Sequence, residues 1–574
     1  MRLSPFWQGV LFSLAICLFF QWSFVTNITK PLSLLHGDAF LVNFILDHWM
    51  RVVLSGNWTN LPNLPILHGF ENTLFYTDHH FMQALVAFPI YILTQNIILT
   101  SNVIIILTII SSLMSMYFLV WHFTKNVWAS LLASVIFVFN PFIMARFPDH
   151  LILISLQWIP LIFLFLEKSL NNPSKKNLFL FFLFLTCQLL SSLYYSVFLT
   201  IILPIYFIVR AWHRRSKFSH FVNRGAVLGS VLFCLVVLAS AYFYYQVHSK
   251  YQINRSLDTT VVYSARITDY LFTAPQNLLY GGLKERAEKT FPSIVRSGIY
   301  SEQNLFWGIV PLILFLASFF VLRKSSHRPL WFLSLCLLIL SFLLSLGPKI
   351  TFSDNFSIPG PYRLAYLIDP LLSYLRTAAR FGVFVFFFLG LISSLTLAEI
   401  AKKVGVRRYI MLSFIILAIL LIEYMNKPLA FTEIDQRTKD FYSLLNKQKQ
   451  IEVIVDLPIA NLISYSYPQA RAEDFDAHYL LWATVLHDKI LFNGYTGFLP
   501  QEYYKRGAYL SINFPTREKL KKLREWGVDG IVLHRDEFND PSEFERVKSD
   551  LRKRGVKQVA STDDLALFDL TQLR

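Results

Sequence analysis

Long apolar runs, broken only by short clusters of lysine and arginine, constrain this chain more than any other feature. The runs Gln8 to Asn27, Leu99 to Trp121, Gly225 to Gln246 and Phe381 to Leu397 are each long enough, at roughly 1.5 Å per helical residue, to enter or cross a hydrocarbon layer of about 30 Å. Composition agrees: 54% of the 574 residues are apolar, and the 54 Phe, 27 Tyr and 12 Trp suit lipid-facing surfaces and interfacial belts. The first run, Phe6 to Val25, is read as a retained span because no small-residue cleavage site follows it.

A net charge of +16 raises the question of nucleic-acid binding. The cations, however, sit in the breaks: Lys125; Lys168, Lys175 and Lys176; Arg210, Arg214, Arg215 and Lys217; Arg323, Lys324 and Arg328; Lys402, Lys403, Arg407 and Arg408. That is the distribution of a positive-inside membrane protein, not of a phosphate groove. Placing all five breaks on the cytoplasmic side requires an odd number of crossings between Phe81 and Trp121. Met82 to Thr94 is therefore read as an interfacial helix and Leu99 to Trp121 as a full crossing.

The expected architecture is a polytopic α-helical membrane protein of about eleven spans, placed at 8–27, 99–121, 126–144, 151–167, 177–192, 194–210, 226–246, 305–322, 330–346, 381–399 and 409–425. Residues 1–425 form the membrane domain, with outer loops 28–80, 247–304 and 347–380. Residues 426–574 form a small α/β domain on the same outer side. Its signals are alternation at Ile451 to Asp456, helical spacing at Glu518 to Trp526 stopped by Gly527, and a buried strand at Val528 to Leu533. A helix at Pro541 to Lys553 and a strand at Lys557 to Ala560 follow. His478, His487, Asn493 and His534 are its polar interior candidates, without a nucleophile-elbow or phosphate-loop pattern. Cys17, Cys187, Cys234 and Cys336 lie in apolar runs with no metal-knuckle or disulfide spacing and read as small hydrophobes.

Acids and histidines gather on the outer side. The first loop carries His36-Gly37-Asp38, Asp47-His48-Trp49 and Asp78-His79-His80; the turn after the third span carries Arg146-Phe147-Pro148-Asp149-His150. Asp38, next to a glycine that permits close backbone approach, suits a general base or a ligand for a divalent cation. Asp78, Asp149 and His150 are further catalytic candidates, with Asp149 also placed to cap the helix from Leu151. His79, Gln157 and Glu302 are candidate substrate contacts. Arg376 and Arg380, one helical turn apart before the tenth span, suit a phosphate. The plainer alternatives are loop contacts for the acids and histidines and headgroup snorkelling for the arginines.

On Asp38 in the first loop, the interfacial segment before the next span, Asn140-Pro141, Asp149-His150, Gln157-Trp158-Ile159-Pro160 and Pro361-Tyr362-Arg363, the chain resembles the GT-C class of polytopic glycosyltransferases, of the dolichyl-phosphate-mannose mannosyltransferase and lipid-A aminoarabinose transferase type. That resemblance covers about residues 1–425 and implies a polyprenyl-phosphate sugar as donor, transfer to a lipid, glycan or protein acceptor at the outer face of a bacterial plasma membrane, and Asp38 as the base. The acidic pair usual in the class is missing beside Asp38, where Gly37 and Ala39 stand, so a cation cofactor (Mg or Mn) stays open. A transporter or flippase is the competing reading, and a non-catalytic glycan-binding membrane protein a third. Transporters place ionisable residues near mid-span, whereas here they gather at one interface.

Overall fold

The computed structural model describes residues 4–33, 37–215, 221–252, 256–295, 302–459, 473–538 and 540–573, with the side chains of 473–476 excepted. His36 lies outside the described residues. The chain divides into two compact units, one of residues 1–26, 105–241 and 252–428 and one of residues 27–104, 242–251 and 429–574.

A helix lies in every segment read as a span. Among the described residues six helical segments are long and apolar enough to cross a membrane: Ile97–Thr124, Leu151–Asn171 (broken at 155–157), Leu193–His213, Arg224–Tyr251, Arg328–Ser345 and Ala378–Ala401. Pro5–Phe20, Phe81–Thr94, Val127–Val138 and Ile309–Val321 are shorter apolar helices. Phe81–Thr94 is separated from Ile97–Thr124 by Gln95, which turns the chain at φ +49°, so the expected break at Gln95-Asn96 is real.

The first unit is built around Gly382–Ala401, buried on all sides from Gly382 to Ala398 and packed by Val127–Val138, Ile309–Val321 and Arg328–Ser345. A helix apolar all round belongs in the middle of a bundle. Gly390 lets a neighbour come close: a Cβ there would lie 3.2 Å from the Ala133 carbonyl oxygen and 3.4 Å from Met116 Cε. By contrast Arg224–Tyr251 presents Val227, Leu228, Val231, Leu235 and Leu238 outward, an apolar stripe suited to lipid. A hairpin of β1 (Lys349–Ser353) and β2 (Phe356–Pro359) stands in the 347–380 segment.

The second unit holds a five-stranded sheet of β3 (Val453–Leu457), β4 (Ile490–Leu491), β5 (Gly530–His534), β6 (Lys557–Ser561) and β7 (Leu565–Asp569), ordered β4-β3-β5-β7-β6. β4, β3 and β5 run parallel; β7 and β6 are antiparallel additions. Side chains alternate across a strand. Val453, Val455, Leu457, Ile531 and Leu533 therefore pack with Leu520, Leu523, Phe544, Val547 and Leu551 from the helices Arg517–Glu525 and Pro541–Lys553. Asp456 and His534 fall on the other face, where His534 Nε2 meets Asp456 Oδ1 at 2.7 Å.

The first loop is part of this unit. Pro65 to His68 pair with the edge at β4: Leu491 N–H donates to the Pro65 carbonyl (2.9 Å), Leu67 N–H to that of Asn493 (2.9 Å) and His68 N–H to that of Leu491 (3.2 Å). An edge strand is thus covered by chain from the other end of the sequence. The polar stretch around Asp38 and Asp47 is not a loop but a helix, Gly37–Ser55, which packs along Glu473–Val485. Phe40, Leu41, Phe44, Ile45 and Met50 drive it there and outweigh the turn-like Asp and His residues between them.

Candidate functional site

In the second unit, Asp38 occupies the first turn of Gly37–Ser55, where the helix N-terminus favours a carboxylate. The Tyr495 hydroxyl donates to Asp38 Oδ1 at 2.6 Å. Lower on the helix the polar side chains are engaged locally. Arg51 Nε donates to Asp47 Oδ2 at 2.5 Å, and His48 Nε2 lies 3.1 Å from the Leu61 carbonyl oxygen. Burial pushes the Asp47 carboxyl up, with Arg51 opposing it, and pushes the His48 imidazole down.

Trp49 ties this helix to the Asp78-His79-His80 corner, its indole N–H donating to the His79 carbonyl at 2.7 Å. Asp78 lies within electrostatic reach of Tyr244, whose hydroxyl donates to the Thr77 carbonyl at 2.9 Å. His79 and His80 are 6% and 4% exposed, and burial pushes their imidazoles down to about 4 and about 3, so both are neutral near pH 7. His79 Nδ1 accepts from Phe81 N–H at 3.1 Å, which places its proton on Nε2 as a donor. The sequence thus sets two patches 40 residues apart, and the fold brings them onto one framework through Trp49.

Whether these residues fit a divalent cation is answered by the donor set. Among the described residues no group of three or more His, Cys, Asp or Glu side chains is disposed to hold a metal ion. Asp38 Oδ1 already accepts from the Tyr495 hydroxyl.

The first unit has its own charged cluster. Asn140 Oδ1 caps the short helix Pro141–Met144 by accepting from Ile143 N–H at 3.0 Å, which delivers Arg146 into the interior. Arg146, fully buried, donates to the Phe142 carbonyl at 2.6 Å, stacks 3.5 Å from the Phe142 ring centroid and pairs through Nη2 with Glu302 Oε2. Glu302 Oε1 accepts from Arg380 Nε (2.9 Å) and Nη2 (2.7 Å). Burial pushes the Glu302 carboxyl up, but the Arg146 and Arg380 guanidiniums outweigh it and hold the group at about 2. Two guanidiniums on one carboxylate leave a buried net charge of +1.

Several expectations change here. Arg376 and Arg380 do not share a helical face, because the backbone is extended at Leu375 and non-helical at Thr377. Arg376 lies 4.9 Å from the Tyr263 ring, whereas Arg380 binds Glu302 and stacks 4.2 Å from Tyr194. Asp149 is not the cap of the next helix; His150 holds that position, without a side-chain cap bond. Gln157 stands not on a continuous helix but at the break between Leu151–Ile154 and Trp158–Asn171, accepting from Ser112 Oγ at 3.4 Å. Sequence reasoning missed Tyr495, for which no local pattern exists. It also named Arg146 only as part of a turn, although an arginine beside a capping Asn-Pro was a usable signal.

A family model described as a domain of unknown function (DUF6311) matches residues 10–423. No curated protein matches the sequence. Among solved structures, the chain is similar to arabinofuranosyltransferase AftD from Mycobacteria, with a TM-score of 0.57 and 12% identity over 99% of this chain; it spans 40% of that chain. It is also similar to ArnT from Cupriavidus metallidurans bound to undecaprenyl phosphate, with a TM-score of 0.50 and 12% identity over 98% of each chain. Both are GT-C glycosyltransferases, and the fold of this chain is GT-C-like.

Proposed function

The chain belongs to the DUF6311 family, and from its GT-C-like fold we propose that it is a membrane glycosyltransferase. In this reading it spans the membrane about eleven times, with the 28–80 segment and the C-terminal domain on the outer face of a bacterial plasma membrane. It moves a sugar from a polyprenyl-phosphate donor to a lipid, glycan or protein acceptor. The undecaprenyl phosphate bound by the ArnT structure supports that class of donor.

Asp38 carries the reading: a carboxylate in the first turn of a helix, accepting a hydrogen bond from the Tyr495 hydroxyl. It takes the proton of the acceptor hydroxyl, whose oxygen forms a bond to the anomeric carbon. The bond from that carbon to the phosphate oxygen breaks, and polyprenyl phosphate leaves with the electron pair. One displacement inverts the anomeric centre, and Asp78 and Asp149 are the further carboxylates proposed to offset the positive charge that develops there. His79 offers a neutral N–H to a sugar oxygen. Arg376, which makes no ion pair among the described residues, takes the phosphate. Glu302, Arg146 and Arg380 hold the segments around it, with His150 and Gln157 at the neighbouring turn and helix break.

Membranes containing the protein are offered radiolabelled undecaprenyl-phosphate-linked arabinofuranose, mannose and glucose, and transfer of label to membrane acceptors is counted. Asp38→Asn should lower transfer by at least about a hundredfold while leaving the unfolding midpoint in detergent unchanged. Undiminished transfer by that variant removes Asp38 as the base.

A further inference from the structure

Tyr495 follows β4 in the C-terminal domain and is 457 positions from Asp38, yet its hydroxyl lies 2.6 Å from that carboxylate. The approach is built, not incidental. Leaving β4, the chain is fixed first at Asn493, which is fully buried: its Oδ1 accepts from Asp456 N–H at 2.7 Å and its Nδ2 donates to the Asp456 carbonyl at 3.0 Å. This side chain extends the ladder to β3 by one more pair of bonds. The Asn493 carbonyl is taken by Leu67 N–H from the first-loop segment (2.9 Å). Next, Gly494 N–H donates to the Tyr503 hydroxyl at 3.1 Å, and a Cβ at Gly494 would lie 2.3 Å from Leu67 Cγ, so only glycine lets the two segments close. Tyr495 therefore leaves a backbone held at each preceding residue. On the opposite side, the helix bearing Asp38 lies along Glu473–Val485 of the same domain.

We propose that Tyr495 is the positioning residue for Asp38, so that the C-terminal domain supplies part of the transfer site. This rests on the glycosyltransferase reading above. A hydrogen bond to one carboxylate oxygen stops rotation of the group and aims the other oxygen. It also stabilises the ionised form that must receive a proton. The donor sugar and its lipid need not touch Tyr495 for this to act.

The test uses the full-length protein in membranes, the same panel of undecaprenyl-phosphate sugars, and Tyr495→Phe, which removes one hydroxyl and keeps the ring. The expected result is a fall in kcat of about tenfold with KM unchanged, and a move of the acidic limb of the pH–rate profile to higher pH, because a carboxylate without its donor binds a proton more readily. A pH limb does not depend on how much protein is folded, so partial misfolding leaves that readout intact. An unmoved limb with unchanged kcat in Tyr495→Phe, while Asp38→Asn is inactive, overturns the positioning role and leaves the base assignment standing. Full transfer by Asp38→Asn overturns both, and so does a wild-type protein that transfers none of the panel.

Discussion

Glu302 shows how a single residue can govern three segments. Its carboxylate is shared by Arg146 from the turn after Pro141–Met144 and by Arg380 from the entry to Gly382–Ala401, all in near-complete burial. A buried ion pair costs desolvation when it forms, and the cost of breaking it is larger still, because the surviving charges lose their partner. Glu302→Gln should destabilise the protein by about 3 kcal/mol, read as a lower unfolding midpoint in detergent. The folded carboxyl sits at about 2, below its ordinary 4.5. Its contribution is therefore complete above about pH 4.5 and is lost as pH falls from there toward 2. The wild-type midpoint should drop across that window, and Glu302→Gln should lack that part of the slope. A variant with the wild-type slope would show that the triad is not what titrates. His79 and His80, held neutral by burial, add their own loss of stability as pH falls from their ordinary 6.5 toward about 4 and about 3, and Glu302→Gln should leave that part of the slope in place.

At the scale of the element, packing decides more than propensity does. Gly382–Ala401 is buried all round from Gly382 to Ala398, so over that length shape locates it in its bundle, and at Gly390 a Cβ would lie 3.2 Å from the Ala133 carbonyl oxygen of Val127–Val138. Small residues at such points let helices approach in lipid, where no hydrophobic drive holds helix to helix. Gly390→Val should force the pair apart and cost about 1–3 kcal/mol, seen as a lower midpoint. The same substitution at Gly405, where a Cβ meets nothing, should not. Helices with clean punctuation were legible: Pro541–Lys553 has Asp540 as its cap, accepting from Ser542 N–H at 2.8 Å, and a proline first. Gly37–Ser55 was not, because it is buried on most of its circumference. Its aspartates and histidine therefore mark no solvent face and read as loop.

For the whole molecule, the orientation read from the basic breaks is open to direct test. With all four native cysteines replaced, Trp58→Cys, at an exposed position of the first-loop segment, should react with a membrane-impermeant maleimide from outside intact cells. Lys402→Cys should react only after the membrane is opened. Reaction of both from the same side would end the proposed topology. The sequence by itself determined the membrane character, a helix in each long apolar run and the strands β3, β5 and β6 of the C-terminal domain, because period, run length and charge placement are local properties that survive without neighbours; β4 and β7 carried no such signal. It also singled out Asp38. Only the tertiary structure decided that Tyr495 meets Asp38, that Pro65 to His68 edge the β4 strand, that Arg376 and Arg380 part company, and that Arg146 and Arg380 share Glu302. Such pairings join residues far apart in the chain. The energy that selects them comes from burial and from satisfying charge away from water, which no window of sequence contains.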